Sequence, residues 1–476
     1  MDKQRLIVVS NRLPVAISRD EEGEWRIAPG SGGLVTALAP VMRNREGVWL
    51  GWAGTGGEVP LGELFERFGA ESGYRLQSVP ISEEEIEKYY LGFSNETLWP
   101  LFHDLLGYCN FDPENWRAYI EVNRRFAEAV AATATEQDQI WIHDYQLCLV
   151  GGHLRELGVR QPLAFFLHIP FPSLDLFRRL PWKQELIRGL VAYDLVGFQT
   201  LRDRRNFVQC AAALIPELEV ISRQRHYTLL RCGERTIKVG HFPISIDYND
   251  FHQKAQTREV ADAAWYLHES LSGRQLMLGV DRLDYTKGIP ERFLAFERAL
   301  ELYPELRKNL SLLQVVIPSR TLVPDYRNLK ELLDQMAGRI NARFAEPDWM
   351  PIFYLFRSLE PTQLLAHYRT SEIALITPLR DGMNLVAKEY CASAVDLNNV
   401  LILSEFAGAA DQLGHWALTV NPYDIDGTAA AIHRAFHMPR EERRERMQHL
   451  QAEVERNDVH RWVRRFLGTM QGGRHG

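Results

Sequence analysis

Residues 276–290 read LMLGVDRLDYTKGIP and decide the fold of the chain. The run from Leu276 to Val280 has the length and composition of a buried strand, and Gly288 and Pro290 mark the start of a helix. A strand that leads through a polar loop into a helix is the basic unit of proteins with parallel sheets. The segment therefore predicts an α/β fold with Arg282 and Lys287 at the carboxyl end of a strand, where two cations can neutralise a diphosphate.

The same pattern recurs on both sides of this segment. Further apolar runs of strand length lie at 6–9, 48–52, 140–143, 163–167, 195–198, 312–317, 373–376 and 400–403, and amphipathic stretches of helix length lie at 114–131, 290–302 and 360–369. At 476 residues the chain is longer than one hydrophobic core usually organises. We therefore expect two doubly wound, Rossmann-like domains that face each other across a cleft.

The domain boundary is predicted near His241–Asp247, where an apolar run gives way to a turn with a proline. This places the first domain at 1–245 and the second at 246–476. The Arg/Glu-rich stretch 440–465 is predicted to be helical and solvated. A terminal helix of the second domain would be able to pack back on the first.

The composition excludes several functional classes. With a net charge of −7, the chain has no broad basic field for nucleic acid or an anionic membrane. The short apolar run at the N-terminus is too brief for a signal sequence or a membrane span. Five cysteines (Cys109, Cys148, Cys210, Cys232 and Cys391) form no CxxC or Cys/His cluster, which argues against a disulfide framework or a structural zinc site and predicts buried thiols. We therefore expect a cytoplasmic protein without a nucleic-acid or membrane partner.

A second strand, loop and helix unit lies at 376–389, which reads ITPLRDGMNLVAKE. Asp381 stands at the apex of its loop, and Gly382 permits close approach of the backbone. The first amides of the helix, near Asn384 and Leu385, would face an anionic group, and Glu389, about one turn later, could accept from ribose hydroxyls. Taken alone, a strand followed by Asp-Gly is only moderately specific, because Asp-Gly often just makes a turn.

Polar residues also follow strands in the first half. Asp144 and His168 each come directly after a predicted strand. A lone histidine in that position is more often structural than catalytic, but two polar strand ends in one domain favour a site. The glycine loop at 30–34 either cradles phosphate or forms a surface turn, and it lacks the P-loop pattern. The aromatic stretch 89–99 either packs in the core or forms a wall against a sugar face.

Taken together, these segments resemble the retaining glycosyltransferases of the trehalose-6-phosphate synthase family over nearly the whole chain. The resemblance rests on eight motifs in the order found in that family: SNRLP at 10–14, WLGW at 49–52, FSNETLWP at 93–100, HDY at 143–145, HIPFP at 168–172, RLDYTKG at 282–288, PSR at 318–320 and RDGMNLVAKE at 380–389. It implies a GT-B fold with the acceptor mainly on the first domain and the nucleotide mainly on the second.

Site residues follow from the resemblance by motif position. It implies that the donor is bound by Gly33, Arg282, Lys287, Asp381, Gly382, Met383, Asn384, Leu385, Val386 and Glu389, the last on the ribose. The implied acceptor residues are Arg12, Trp52, Tyr90, Trp99, Asp144 and Arg320, of which Arg12, Tyr90, Trp99 and Arg320 resemble a phosphate pocket. Asp144, His168, Arg282, Lys287 and Asp381 are the implied catalytic residues.

The reaction implied is transfer of glucose from UDP-glucose to glucose 6-phosphate with retention, giving α,α-trehalose 6-phosphate and UDP. No nucleophile is apparent, and in this family the acceptor is thought to attack from the face of the leaving group, so orientation and charge stabilisation would carry the catalysis. No cofactor and no catalytic metal are expected. Glycerol 3-phosphate or a cyclitol phosphate is the alternative acceptor, and a non-catalytic sugar-phosphate sensor is the alternative class. The sequence does not decide whether copies of the chain form a homo-oligomer.

Overall fold

The structure is a computed structural model, and it describes residues 4–20, 22–30, 33–55, 59–270, 274–320 and 323–471. The chain forms two compact units. Unit 1 comprises Met1–Ile244 and Trp462–Gly476, and unit 2 comprises Ser245–Arg461. Unit 1 therefore contains residues from both ends of the chain.

Unit 1 is built on a nine-stranded sheet in the order β5-β4-β1-β6-β7-β8-β11-β10-β9. All neighbours are parallel from β5 to β11, and β10 and β9 add an antiparallel edge. A separate antiparallel hairpin pairs β2 with β3. The strands are β1 Leu6–Arg12, β2 Val15–Arg19, β3 Trp25–Pro29, β4 Val48–Trp52, β5 Arg75–Ser78, β6 Gln139–His143, β7 Leu163–Phe166, β8 Leu195–Phe198, β9 Leu218–Arg223, β10 Tyr227–Cys232 and β11 Arg235–His241.

Helices cover this sheet and include one uncommon element. The α-helices are α1 Gly33–Arg43, α2 Leu61–Ser72, α3 Glu83–Glu85, α4 Trp99–Phe102, α5 Pro113–Thr133, α6 Val150–Glu156, α7 Leu174–Phe177, α8 Lys183–Leu190 and α9 Leu201–Leu214. Between α3 and α4 the chain forms a π-helix at Ile86–Leu98, and short 3₁₀ turns lie at Leu106–Tyr108 and Tyr145–Leu147. Because π-helical turns are rare and concentrate at functional sites, the π-helix marks its surroundings for inspection.

Unit 2 has a six-stranded, all-parallel sheet in the order β14-β13-β12-β15-β16-β17. Its strands are β12 Gln275–Arg282, β13 Leu310–Ile317, β14 Ile352–Phe356, β15 Ile373–Ile376, β16 Val400–Ser404 and β17 Leu418–Val420. Its helices are α10 Tyr248–Ala255, α11 Arg258–Ser270, α12 Ile289–Leu302, α13 Pro324–Phe344, α14 Pro361–Thr370, α15 Leu385–Ala392, α16 Ala410–Leu413, α17 Ile425–Phe436 and α18 Arg440–Arg456, with 3₁₀ turns at Tyr285–Lys287 and Pro304–Leu306. Numbered within the unit, the strand order is 3-2-1-4-5-6, that of a Rossmann fold.

The C-terminal stretch differs from the prediction. A break after α18 is followed by a further helix, α19 (Val459–Gln471). Trp462 and Phe466 of α19 are buried in unit 1, where the Phe466 ring stacks on that of Trp141 with centroids 4.3 Å apart. The Trp462 indole also donates to the carbonyl of Phe242 (3.0 Å). The prediction that 440–465 is helical is confirmed apart from the break, but the prediction that it is solvated was wrong, because apolar residues among the arginines form a buried stripe.

The other predicted elements are confirmed with shifts of a few residues at their ends. Strands β2, β3, β5, β9, β10, β14 and β17 were not predicted. All five cysteines are free, but Cys109 and Cys232 are half-buried rather than buried. Every helix in the described ranges is too short or too polar to cross a bilayer.

Candidate active site

The loops after β12 and β15 lie at the switch point of unit 2. These two strands are adjacent in the sheet, and the chain continues from them toward opposite sheet edges. In doubly wound sheets this arrangement opens a crevice at the carboxyl ends, where ligands bind. Arg282 and Lys287 follow β12, and Asp381 follows β15, so both predicted donor segments meet at this point.

Lys287 and Asp381 form an ion pair across the two loops. The Lys287 Nζ lies 2.6 Å from Asp381 Oδ2, and the side chains are 12% and 9% exposed. The other carboxylate oxygen accepts from the amides of Met383 (3.0 Å) and Asn384 (3.2 Å). Asp381 is therefore the counter-charge of Lys287 and also holds the loop that leads into α15.

Backbone contacts fix the spacing of the loops. The Leu379 amide donates to the carbonyl of Thr286 at 2.8 Å. Gly288 adopts φ +62°, and a Cβ there would lie 2.1 Å from the carbonyl oxygen of Thr377. Only glycine fits this position, because it tolerates a left-handed conformation and the close approach of a second backbone.

Helix α15 presents its amino end beside the ion pair. Asn384 caps it by accepting from the amide of Ala387 (3.2 Å). The first amides of a helix have no partner within it, so those of Leu385 and Val386 are suited to bind an anion. Gly382 lies in the loop before the helix, where Gly408 packs closely against its carbonyl oxygen.

Glu389 lies one helical turn after Leu385. Its Oε2 accepts from the hydroxyl of Tyr368 at 2.9 Å. Burial raises the pKa of the Glu389 carboxyl, and the bond from Tyr368 offsets part of that rise. A carboxyl held here in low polarity gains from hydrogen-bond donors such as ribose hydroxyls.

Two arginines in this region differ in their surroundings. Arg282 is exposed at the end of β12 and makes no ion pair with any described residue. Arg320, after β13, is 8% exposed and lies 3.3 Å from the buried carboxylate of Asp284. Its guanidinium also donates to the hydroxyl of Tyr326. Arg320 thus belongs to a preorganised cluster, whereas Arg282 is exposed and available to an incoming phosphate.

A buried arginine beneath the loops was missed by the sequence reasoning. Arg292 of α12 is fully buried and pairs with Asp281 of β12 at 2.5 Å. It also donates to Gln314 (2.9 Å) and to the hydroxyl of Thr377 (3.1 Å). Because Thr377 begins the loop that carries Asp381, Arg292 connects both donor loops to the strands below them.

In unit 1 the ends of β1 and β4 meet at the carboxyl edge of the sheet. Arg12 pairs in register with Trp52, and its guanidinium lies 5.3 Å from the centroid of that ring. Gly54 (φ +80°) leaves the space that the guanidinium occupies, since a Cβ there would lie 1.9 Å from it. Arg12 is exposed and makes no ion pair within the described ranges, so its charge is available to an anion.

Asp144 and His168 come together at the same edge. Asp144 Oδ1 accepts from the backbone amide of His168 (3.2 Å) and from that of Tyr145 (3.0 Å). Asp144 has φ +75° and ψ 167°, a region that residues other than glycine rarely adopt. Such strain commonly persists where a side chain is positioned for function.

His168 is held neutral by its surroundings. Burial lowers its pKa to about 3. Its Nε2 lies 3.1 Å from Nδ1 of His143, a second buried histidine whose pKa burial and the neighbouring His168 also lower. A neutral imidazole here can bind a hydroxyl, but it does not supply a proton as an acid near pH 7.

The π-helix places the aromatic residues next to these strand ends. Tyr89 donates to Asn11 (2.8 Å), and Tyr145 donates to Asn95 (2.8 Å), which fixes the helix beside Arg12 and Asp144. Trp99, which begins α4, is buried with its ring 5.6 Å from that of Tyr145. Tyr90 remains half-exposed.

The predicted site residues thus form two groups. Unit 1 holds Arg12, Trp52, Tyr90, Trp99, Asp144 and His168 around one sheet edge, and Gly33 is the first residue of α1. Unit 2 holds Arg282, Lys287, Arg320, Asp381, Gly382, Met383, Asn384, Leu385, Val386 and Glu389 around the ends of β12, β13 and β15.

Two largely parallel sheets with polar strand ends, one of which has cations and helix amides at its switch point, are typical of enzymes that act on nucleotide-linked substrates. The chain belongs to glycosyltransferase family 20, whose model matches residues 4–471.

The relatives support this assignment over the full chain. A trehalose-6-phosphate synthase of Mycolicibacterium smegmatis is 42% identical over 98% of this chain and 92% of its own length. A bifunctional trehalose-6-phosphate synthase/phosphatase of Thermoproteus tenax is also 42% identical over 98% of this chain. The chain spans 63% of the length of that bifunctional protein.

Solved structures show the same fold. A structure from E. coli bound with UDP-2-fluoro glucose is 36% identical and covers 98% of each chain with a TM-score of 0.87. An α,α-trehalose-phosphate synthase (UDP-forming) from Burkholderia xenovorans, in complex with glucose-6-phosphate, is 35% identical over 98% of this chain and all of its own, also with a TM-score of 0.87. The predicted α/β fold of GT-B type is therefore confirmed.

Proposed function

We propose that this chain transfers glucose from UDP-glucose to glucose 6-phosphate, forming α,α-trehalose 6-phosphate and releasing UDP. The observation that carries the proposal is the donor site at the switch point of unit 2. There Arg282 is exposed, Lys287 is held in place by Asp381, and α15 offers its first amides. The structures of similar synthases bound with a UDP-glucose analogue or with glucose-6-phosphate support both substrates.

In this proposal the donor diphosphate binds between Arg282, Lys287 and the amino end of α15, with Gly33 adding an amide. An anion that approaches Lys287 competes with Asp381 for the same ammonium group. The diphosphate gains charge as it departs, so its contacts with Arg282 and Lys287 strengthen in the transition state. Glu389 binds the ribose in ground and transition states alike.

The acceptor would bind through its phosphate and its hydroxyls. On unit 1, Arg12 contacts the phosphate, with Trp52, Tyr90 and Trp99 as its neighbours, and Asp144 and His168 orient the sugar. The resemblance to the family assigns Arg320 of unit 2 to the phosphate as well. The anomeric hydroxyl of glucose 6-phosphate attacks C1 of the donor glucose as the bond from C1 to the UDP oxygen breaks, and its proton passes to the leaving diphosphate. This same-face route needs no protein nucleophile, so its rate depends on orientation and on charge stabilisation.

Two further parts of the proposal concern conditions. We expect turnover without an added divalent cation, because Arg282 and Lys287 supply the positive charge that the leaving group needs; full activity after treatment with EDTA would support this.

A cytoplasmic location is also proposed. The five free thiols support it, because secreted proteins usually pair their cysteines in disulfides.

An acceptor panel tests the proposal. With UDP-glucose as donor, initial rates of UDP release are measured for glucose 6-phosphate, glycerol 3-phosphate, inositol 1-phosphate and glucose, and products are identified by mass and anomeric NMR. We expect the highest kcat/KM for glucose 6-phosphate and an α,α linkage. A higher kcat/KM for another phosphorylated acceptor, or sugar-phosphate binding without turnover, would overturn the proposal.

Arginine variants test the phosphate assignment. In Arg12→Ala and Arg320→Ala the preference for glucose 6-phosphate over glucose should narrow, because a guanidinium binds phosphate through paired hydrogen bonds that alanine cannot replace. UDP binding should persist. Arg223→Ala, at an exposed strand end of unit 1, is the control. If both variants keep the wild-type preference, the phosphate binds elsewhere.

A further inference from the structure

A cluster of two histidines and a glutamate lies outside the candidate active site. His433 is on α17, and His437 follows four positions later as the residue that caps this helix. Glu305 is in the 3₁₀ turn between α12 and β13. The Nε2 of His433 lies 2.8 Å from Oε1 of Glu305, and that of His437 lies 3.8 Å from the same oxygen.

This cluster has the chemistry of a metal site. The three ligand atoms all lie within 4.8 Å of one another, and no other group of three or more His, Cys, Asp or Glu residues in the described ranges meets this criterion. Two histidines four positions apart share one face of a helix, a spacing that natural zinc sites use. Neither histidine has a role in the proposed transfer reaction.

The rings are already oriented for a shared ligand. Tyr303 stacks on the His433 ring with centroids 4.0 Å apart and planes at 16°. The His437 ring lies 4.7 Å from that of His433. The Oε1 of Glu305 lies near the Nε2 atom of each ring, so the carboxylate and the two imidazoles face a common point.

We propose that Glu305, His433 and His437 bind a divalent transition-metal ion of the zinc class. Ligand atoms 2.0–2.1 Å from a tetrahedral ion are ~3.3 Å apart. Two of the three distances, 2.8 and 3.8 Å, lie on either side of that value and the third is within 4.8 Å, so rotation of the side chains would bring the three atoms to tetrahedral spacing. Imidazole nitrogen favours zinc, copper or nickel over magnesium and calcium, which prefer oxygen ligands throughout. Because the cluster is partly exposed, water fills the fourth position.

The proton that moves on binding depends on the tautomer of His433. Both histidines coordinate as neutral imidazoles through the Nε2 lone pair. If His433 carries its proton on Nε2, where Glu305 accepts it, that proton must shift to Nδ1 through solvent. The ion then replaces the hydrogen bond between His433 and Glu305.

The position of the cluster indicates a structural role. Glu305 shortly precedes the start of β13, and His433 and His437 lie at the carboxyl end of α17. Both places are at the amino edge of the unit 2 sheet, whereas Arg282 and Lys287 lie at its carboxyl edge. A bound ion would therefore join α17 to the connection between α12 and β13 and would stabilise unit 2 without entering the transfer reaction.

Calorimetry and thermal unfolding test this site with chain that carries no polyhistidine tag and has been treated with chelator. We expect calorimetry to give one Zn²⁺ per chain and Zn²⁺ to raise the midpoint of thermal unfolding. With Co²⁺ in place of Zn²⁺, the visible absorption spectrum should be that of an ion with four ligands. Each of His433→Ala, His437→Gln and Glu305→Gln should weaken binding by more than the ~10–100-fold typical for loss of an outer-shell partner.

The control is His153→Ala. His153 of α6 also pairs with a glutamate, Glu156, at 3.1 Å, but without a third ligand in the described ranges. This variant should bind Zn²⁺ as the wild type does. The proposal is overturned if the wild type binds no ion at 100 µM Zn²⁺, or if His433→Ala and His437→Gln bind it as tightly as His153→Ala.

Discussion

Replacing Arg292 by methionine should destabilise unit 2 by about 3–5 kcal/mol, the usual cost of breaking a buried ion pair from one side. Arg292 is completely buried, and the side chain of its partner Asp281 is 3% exposed. Methionine fills much of the space of the arginine stem, so the cost comes from the carboxylate left without a counter-charge. Gln314 and Thr377 lose a donor at the same time.

The measurement is thermal unfolding together with hydrogen exchange. For a unit of this length, a loss of that size lowers the midpoint by roughly 6–20 °C. Exchange should become faster in β12 and β13 and not in the sheet of unit 1, because the hydrogen bonds that Arg292 makes to described residues all lie within unit 2. Changing both partners, Arg292→Met with Asp281→Leu, should recover most of the loss, since an apolar pair needs no counter-charge.

Arg343→Met is the matched control. Arg343 contacts two carboxylates, those of Glu297 and Glu301, but is 51% exposed. A surface ion pair of this kind contributes little to stability, because both charges remain solvated and are screened by salt. If Arg292→Met is no more destabilising than Arg343→Met, burial of the Arg292 pair has been given too much weight.

Three further predictions concern the donor loops and helix α15. Lys287→Ala should lower kcat ~100-fold or more with a folded chain, because a charge-assisted contact to the leaving group is lost, and near-normal kcat would remove Lys287 from the site. Glu389→Gln should raise the KM for UDP-glucose. The same substitution should raise the unfolding midpoint more at pH 8 than at pH 4. Because the pKa of Glu389 is raised in the native state, the wild type loses stability as the pH rises from the ordinary carboxyl pKa through the raised one, and glutamine removes this loss. An equal change in midpoint at both pH values would contradict this. Gly288→Ala should lower the free energy of unfolding by at least ~1–2 kcal/mol from the left-handed backbone alone, and it should reduce kcat as the loops separate. Its control, Gly338→Ala, lies in open space on α13 and should be neutral or stabilising. Similar unfolding midpoints for the two alanine variants would argue against the backbone contact.

The sequence pattern predicted the strand, loop and helix units correctly, because these depend on residues that are close together in the chain. The segments 276–290 and 376–389 each form the expected strand, loop and helix, because a buried run, a glycine and a helix start lie next to each other in sequence. The strands β9 and β10 were not predicted, since β9 is the edge strand and both alternate buried residues with more exposed ones instead of forming a continuous apolar run.

The contacts within the site could not be predicted in this way. Lys287 and Asp381 are 94 positions apart, and nothing in either segment indicates that the ammonium and carboxylate groups meet. Arg292 resembles any helical arginine until the strands beside it are known. The sequence also gives no indication of the π-helix, because this stretch contains both core aromatic residues and the half-exposed Tyr90.

The packing of α19 sets an order for folding during synthesis. Trp462 covers a part of unit 1 that includes Phe242, which lies 220 positions earlier in the chain. At ribosomal rates of 5–20 residues per second, synthesis of those 220 residues takes roughly 10–45 s, and this surface stays exposed for that time. Unit 2 is made from one uninterrupted stretch and needs no later residue. The unit that emerges second from the ribosome is therefore the first that can be finished, and the aromatic surface around Trp141 and Phe166 is the one that a chaperone would meet in the meantime.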